Sequence, residues 1–393
     1  MKRVGKIILT FLLSIIGILI VLVVISALSN VGLPQKSQVV ESLSEADKIR
    51  LAETRHLRQE VGDLVWPGWA EADIPVILYN EAYAFITGYP DPPSGWVKVP
   101  IGLARGGPWE IVPDDTLYGQ PYYRQALTDP GVTPEAFTVL VGDRWVASLQ
   151  TYDWATIRLA QPIRQDLPGF LRPIFPYRLF IGQLLGNSDK YITLISHEAF
   201  HAFEGMLATE KLASAENVGI EYENHYPWEN TSLGDDWQQE LDLLAEALKS
   251  NDPSQVVELT RQFLDLRSSR RSSAKLSAQL IAYEEQREWE EGLARYAELE
   301  IWRQADKTSY TPLPETDQLN NFDDYAGFEK RWSQEIQQMP RMADDEGDGR
   351  FYYTGMAQAY LLDQLMPGWK TRAFEEGVWL DDLLAEAVQG IPN

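Results

Sequence analysis

The sequence predicts an α+β protein: a β-rich first half and a helical second half, preceded by one transmembrane helix. Three observations carry this. Ile7 to Leu28 form an uncharged apolar run of 22 residues. Between Ile74 and about Ala160, short stretches rich in β-branched and aromatic residues alternate with Pro, Gly and Asp. From about Lys190 onward, apolar positions recur at helical spacing. The 393-residue chain carries 34 Lys and Arg against 58 Asp and Glu, a net charge of −24, which repels a phosphate backbone and argues against a nucleic-acid partner. Hydrophobic residues at 45% and charged residues at 23% suffice to fill and solvate a folded core. Cysteine is absent, so disulfides, thiolate metal sites and thiol nucleophiles are excluded, leaving His and carboxylates as the strong metal ligands.

The apolar run, at 1.5 Å per residue, is long enough to cross about 30 Å of hydrocarbon. Lys2, Arg3 and Lys6 precede it and the next positive charge is Lys36, so the positive-inside bias exports everything downstream. Residues 1–30 are thus expected to be an anchor, with a signal peptide cleaved near Ala27-Leu28-Ser29 as the alternative. The body would be extracytoplasmic in either case, at a bacterial cell surface. Residues 31–70 read as a juxtamembrane spacer: a polar stalk, then a charged helix over Glu41–Val65 with Leu43, Ile49, Leu51, Leu57, Val61 and Leu64 as its apolar positions. Residues 71–165 form the β-rich subdomain, built from VILYN, AYAFITG, GWVKVP, FTVLVG and RWVASLQTY, with loops able to frame a cleft. Residues 166–393 form the helical region, with helices expected at 190–208, 235–249, 253–304, 327–338, 350–365 and 379–388. Any active site belongs near the junction of the halves.

The strongest chemical signal is His197-Glu198-Ala199-Phe200-His201, which uses two of the four histidines in the chain. On a helix, the i, i+4 spacing sets both imidazoles one turn apart on one side, where a single zinc ion can take both at about 2.0 to 2.1 Å. Asn187 or Ser188 can cap this helix, and Ile192, Ile195, Ala199, Ala202 and Met206 form an apolar stripe opposite the histidines. Glu198 falls beside the metal, where a carboxylate can take a proton from water and return it to a leaving amine. Catalytic zinc needs a third protein ligand and an open position. Gly and His are missing at 204 and 207, where Glu204 and Leu207 stand, so the metzincin pattern is excluded and a carboxylate is expected. Glu204, Glu290, Glu291 and Glu298 are all available on helices.

The segment Trp289-Glu290-Glu291-Gly292-Leu293-Ala294-Arg295-Tyr296-Ala297-Glu298 resembles the second zinc helix of the gluzincin metallopeptidases, the thermolysin-like and aminopeptidase-N-like zincins, whose aminopeptidase branch carries E-G-x-x-x-Y-x-E. The resemblance implies a zincin-like catalytic domain with Glu291 as the third ligand and Glu298 as the carboxylate orienting a ligating imidazole. It departs from that branch in length: residues 202 to 290 separate the second His from Glu291, so an insertion at about 209–280 would have to return to the site. Tyr352, in Phe351-Tyr352-Tyr353-Thr354-Gly355, is similar to the Y-x-x-G tyrosine that donates to the oxyanion in those enzymes, with Tyr353 as its nearest substitute. No Gly-x-Met-Glu-Asn segment of the kind that grips a free N-terminus is present.

The expectation is therefore a zinc metallopeptidase acting on a peptide or protein substrate, with Zn2+ as cofactor. The rival is a cell-surface binding or scaffolding protein with a structural or vestigial zinc site. His225 and His56 read as ordinary polar histidines, and the run Asp344 to Asp348 as a solvated acidic turn without EF-hand spacing.

Overall fold

The computed structural model describes residues 2–31, 33–99, 103–127 and 139–391. The first helix, α1 (Lys2–Asn30), is long and apolar enough to cross a membrane: its span Leu13–Asn30 has a mean hydropathy of 2.5 and none of it is buried. Next comes α2 (Glu45–Val65), four residues shorter at its start than expected because the Ser44 side chain caps it, accepting from the Asp47 N–H. It is not a spacer. Leu57, Val61 and Val65 are buried in the main core, and Glu53 inside the fold accepts from the Tyr310 and Tyr325 hydroxyls and the Leu313 N–H. The charged texture that reads as a solvated helix serves partly as internal hydrogen bonding.

Among the described residues eight strands follow: β1 (Val76–Tyr79), β2 (Tyr83–Ile86), β3 (Ser94–Lys98), β4 (Leu103–Pro108), β5 (Glu110–Ile111), β6 (Tyr123–Ala126), β7 (Val139–Val141) and β8 (Arg144–Gln150). They form one sheet in the order β4-β3-β7-β8-β1-β2-β6-β5, antiparallel except where β1 runs parallel to β8. Phe137 and Thr138 of the FTVLVG stretch lie outside the described residues. The β-rich region stops at Gln150, short of the expected boundary. Thr151 accepts from the Trp154 N–H and starts α3 (Tyr152–Asp166), which tolerates Pro162 in its interior.

The remaining helices are α4 (Tyr177–Leu184), α5 (Ser188–Leu207), α6 (Thr209–Tyr222), α7 (Thr231–Lys249), α8 (Pro253–Ser273), α9 (Ala278–Lys307), α10 (Phe328–Gln338), α11 (Gly349–Leu365), α12 (Trp369–Arg372) and α13 (Leu380–Gln389). The continuous helix expected over 253–304 is broken, since Lys275 takes a left-handed φ of 51° and Ser277 caps a new start by accepting from the Leu280 N–H. The chain is thus mixed α and β, with α1 and α2 before the sheet and the other helices after it.

Helix α5 joins the halves. On its sheet side, Trp145 of β8 lies flat against Gly205, where a Cβ would come within 2.5 Å of the indole. On its helical side, Phe200 packs edge-on against Trp66 and Trp69 at 5.2 and 5.3 Å. The long stretch between α5 and α9 returns to the site: α6 lies along α9, with Ser214 donating to Gln286 at 2.8 Å, and α7 and α8 bring Glu240, Arg267 and Arg270 onto α9. Arg267 grips Glu288 through two hydrogen bonds of 2.6 and 2.5 Å, and Arg270 reaches Glu284 at 2.5 Å.

Candidate metal centre

Asn187 caps α5, its side chain accepting from the Lys190 N–H at 3.1 Å. Ile192, Ile195, Ala199 and Ala202 are buried as the stripe predicts, whereas Met206 is 44% exposed, so the apolar face ends a turn early. With the sheet on one side and α2 and α9 on others, α5 is enclosed, and His197, Glu198, His201 and Glu204 are each at most 7% exposed.

Helix α9 is placed by a close crossing with α11. A Cβ on Gly292 would lie 2.4 Å from the Gly355 Cα, and one on Gly355 would lie 2.1 Å from the Glu288 carbonyl oxygen, so the backbones touch where both residues lack side chains. This crossing sets Glu291 beside α5 and brings Tyr352 to the same place.

His197 Nε2 lies 3.2 Å from His201 Nε2, and Glu291 Oε2 lies 3.6 and 3.5 Å from them. A point equidistant from three atoms so spaced is ~2.0 Å from each, the distance at which zinc binds imidazole nitrogen and carboxylate oxygen. Glu291 Oε2 is buried without a hydrogen-bond partner. Among the described residues these three form a buried group able to hold a metal ion. Without a cation, three acceptor lone pairs would converge on one point out of water, an arrangement that requires a proton or a metal.

The flanking groups hold the ligands in place. His201 Nδ1 is 2.8 Å from Glu204 Oε2, so Glu204 orients the second imidazole and is not itself a ligand. Glu298 Oε2 faces His197 Nδ1 at 3.6 Å, too long for a hydrogen bond, and is held by Arg295 at 2.5 Å and, through Oε1, by Arg331 at 2.9 Å. Glu290 turns away to Arg287. Arg287 also donates to Glu291 Oε1 at 2.7 Å and to Asp348 at 2.8 Å, so one carboxylate oxygen of Glu291 is taken by a cation while the other faces the histidines.

Electrostatics follow from this crowding. Burial pushes the Glu198 carboxyl up to about 8, with repulsion from Glu291 and Glu298 adding to it and His201 opposing. Burial alone would lower His201, but Glu204 and Glu291 override it and hold the imidazole well above its ordinary range. Burial would raise Glu291; Arg287 and the two histidines pull it well below. Burial and the adjacent Glu291 carboxylate keep the Tyr352 hydroxyl protonated, its pKa far above the usual value, while its ring stacks parallel to His197 with centroids 5.7 Å apart.

Other expected candidates are accounted for elsewhere. Tyr353 donates to Glu335 at 2.7 Å. His225 contacts the Glu221 carbonyl at 2.8 Å on the surface, and His56 the Thr311 carbonyl at 3.1 Å. The acidic turn is not merely solvated, because Asp348 pairs with Arg287 behind Glu291. Arg287 and Asp348 escape the sequence reading. Arg287 has a signal, standing one turn before Glu291 on the same helical face; Asp348, 61 positions from Arg287, has none. Comparison with protein-family models, curated proteins and solved structures finds no match.

Proposed function

We propose that the chain is a membrane-anchored zinc metallopeptidase of gluzincin type, its body outside the cytoplasm, hydrolysing peptide bonds in a peptide or protein substrate. The observation that carries this reading is the triangle of His197 Nε2, His201 Nε2 and Glu291 Oε2, sized for zinc and buried beside a carboxyl that binds its proton near neutrality. Zinc held there supplies Lewis acidity that polarises a carbonyl and makes solvent nucleophilic at neutral pH. Glu198 takes the proton of the attacking water and passes it to the leaving amine, a task that suits a carboxyl lifted toward the working pH. With a dication held by His197, His201 and Glu291, the Glu198 carboxyl would be ionised and able to act as the base. Tyr352 remains a neutral donor and stabilises negative charge as it grows on the carbonyl oxygen, an interaction stronger in the transition state than in the ground state. Arg287 and Glu204 hold the ligating groups in position.

Glu198 separates catalysis from a structural or scaffolding role, since a purely structural site has no use for a base. The test is zinc content and peptide-library cleavage by the purified full-length chain and by Glu198→Gln. Catalysis requires the variant to keep its zinc and lose cleavage by a factor of about 10² to 10⁴. A wild-type chain that holds zinc and leaves the library intact favours the binding protein.

A further inference from the structure

The segment from Arg158 to Leu185 departs from the rest of this acidic chain. It contains Arg158, Arg164, Arg172 and Arg178 against the single acid Asp166. Among the described residues none of the four makes an ion pair: Arg172 and Arg178 donate to backbone carbonyls, and Arg164 lies over the Tyr177 ring at 5.1 Å. In a protein with 58 acidic side chains, four unpaired arginines in one stretch are a local inversion of charge.

The same segment exposes large apolar side chains. Tyr177, Ile181 and Leu185 face inward at 1%, 6% and 6% exposure, so the opposite side of α4 should be polar. Instead Leu179 is 65% exposed and Leu184 46%, and Phe170 in the preceding turn is 75% exposed. This surface touches the end of α1. Ser26 Oγ donates to the Ile174 carbonyl at 2.7 Å, Asn30 Nδ2 to the Phe175 and Pro173 carbonyls at 2.7 and 3.1 Å, and Arg178 Nε to the Ser29 carbonyl at 2.6 Å.

We propose that residues 168–184 form a membrane-surface collar, in which Phe170, Leu179 and Leu184 enter the outer leaflet and Arg172 and Arg178 meet anionic lipid headgroups. The inference rests on α1 crossing the membrane. The hydrogen bonds tie the collar to the last turn of α1, the level at which a spanning helix leaves the hydrocarbon, and apolar side chains flanked by arginines are the chemistry of an interfacial element. A protein partner would have to share that level with the lipids around α1. The collar fixes the body to the bilayer at a second point and so restrains its tilt, which a single helix joined through a flexible stalk would not do.

The absence of cysteine makes spin labelling direct. Phe170→Cys, Leu179→Cys and Leu184→Cys are labelled singly in the full chain, reconstituted in vesicles of mixed zwitterionic and anionic phospholipid. Gln262→Cys, exposed on α8, is the aqueous reference, and Ile18→Cys, exposed in α1, the bilayer reference. Collar labels should collide with a water-soluble nickel reagent at least about tenfold less often than the label at 262, with the protection reduced in purely zwitterionic vesicles. Collar labels as accessible as position 262, with position 18 protected, overturn the collar. Equal protection in both vesicle types overturns the headgroup contact. Position 18 accessible as well means that α1 does not span, and the membrane reading itself fails.

Discussion

Glu291 divides its two oxygens between opposite partners. Arg287 holds Oε1 at 2.7 Å, while Oε2 is left bare toward two imidazoles. A ligand set so fixed loses little freedom when a cation arrives. His201 takes its orientation from Glu204, and Glu204→Gln should weaken zinc binding by about 10- to 100-fold, read from competition with a chelator, while leaving the fold intact. Tyr352→Phe should lower kcat by about 10² to 10³ with zinc content unchanged; an equal loss of zinc would make the tyrosine a structural neighbour of His197 instead. Because the metal-free site holds His201 protonated, zinc uptake near neutral pH should release protons, measurable as a dependence of the binding enthalpy on the buffer used. The two histidines and Glu291 are legible in the sequence because helical spacing and a short motif encode them locally. The role of Asp348 is not, since it exists only after α9 and the turn before α11 meet, whereas the i, i+4 spacing of Arg287 and Glu291 is local to α9.

Helices position these residues through two steric devices. Gly292 and Gly355 permit α9 and α11 to touch, and Gly205 receives the Trp145 ring. Gly292→Ala forces the crossing apart and should cost about 1 to 3 kcal/mol in denaturant unfolding, with weaker zinc binding because Glu291 is adjacent. An alanine at the half-buried Gly234, where a Cβ meets nothing within 4 Å, provides the control. The α+β order and most helices follow from periodicity, yet α2 is misread as a spacer and 253–304 as one helix. Charge on α2 is indistinguishable in sequence from a solvated face, although Glu53 accepts from three donors inside the fold. The break at Lys275 uses a left-handed lysine, a residue that carries no turn signature. Helices α4 and α6 are missed because their apolar faces are short or partly exposed.

Across the whole molecule, buried ion pairs join the returning stretch to α9. Burial would raise Glu284, but Arg270, Arg271 and Arg267 hold it down at about 2. Its folded-state pKa is depressed, so its contribution to stability is complete above the ordinary carboxylate range near 4.5 and is lost as pH falls through that range toward about 2. Glu335, held at about 2 by Arg295 and Arg331 against burial, acts in the same direction and window. The urea midpoint should therefore fall steeply below about pH 4.5, and more shallowly in Glu284→Gln, which starts less stable. A midpoint independent of acid would show that these pairs contribute nothing net. Arg267→Met leaves the buried Glu240 and Glu288 without one partner and should cost about 3 to 5 kcal/mol.

The most direct measurement is zinc K-edge X-ray absorption on the purified full-length chain together with its metal stoichiometry. One zinc per chain, with two imidazoles and oxygen at about 2.0 to 2.1 Å and loss of the metal in His197→Ala, is expected. A chain that purifies and refolds without stoichiometric zinc, and does not take it up when zinc is supplied, would contradict the metal centre.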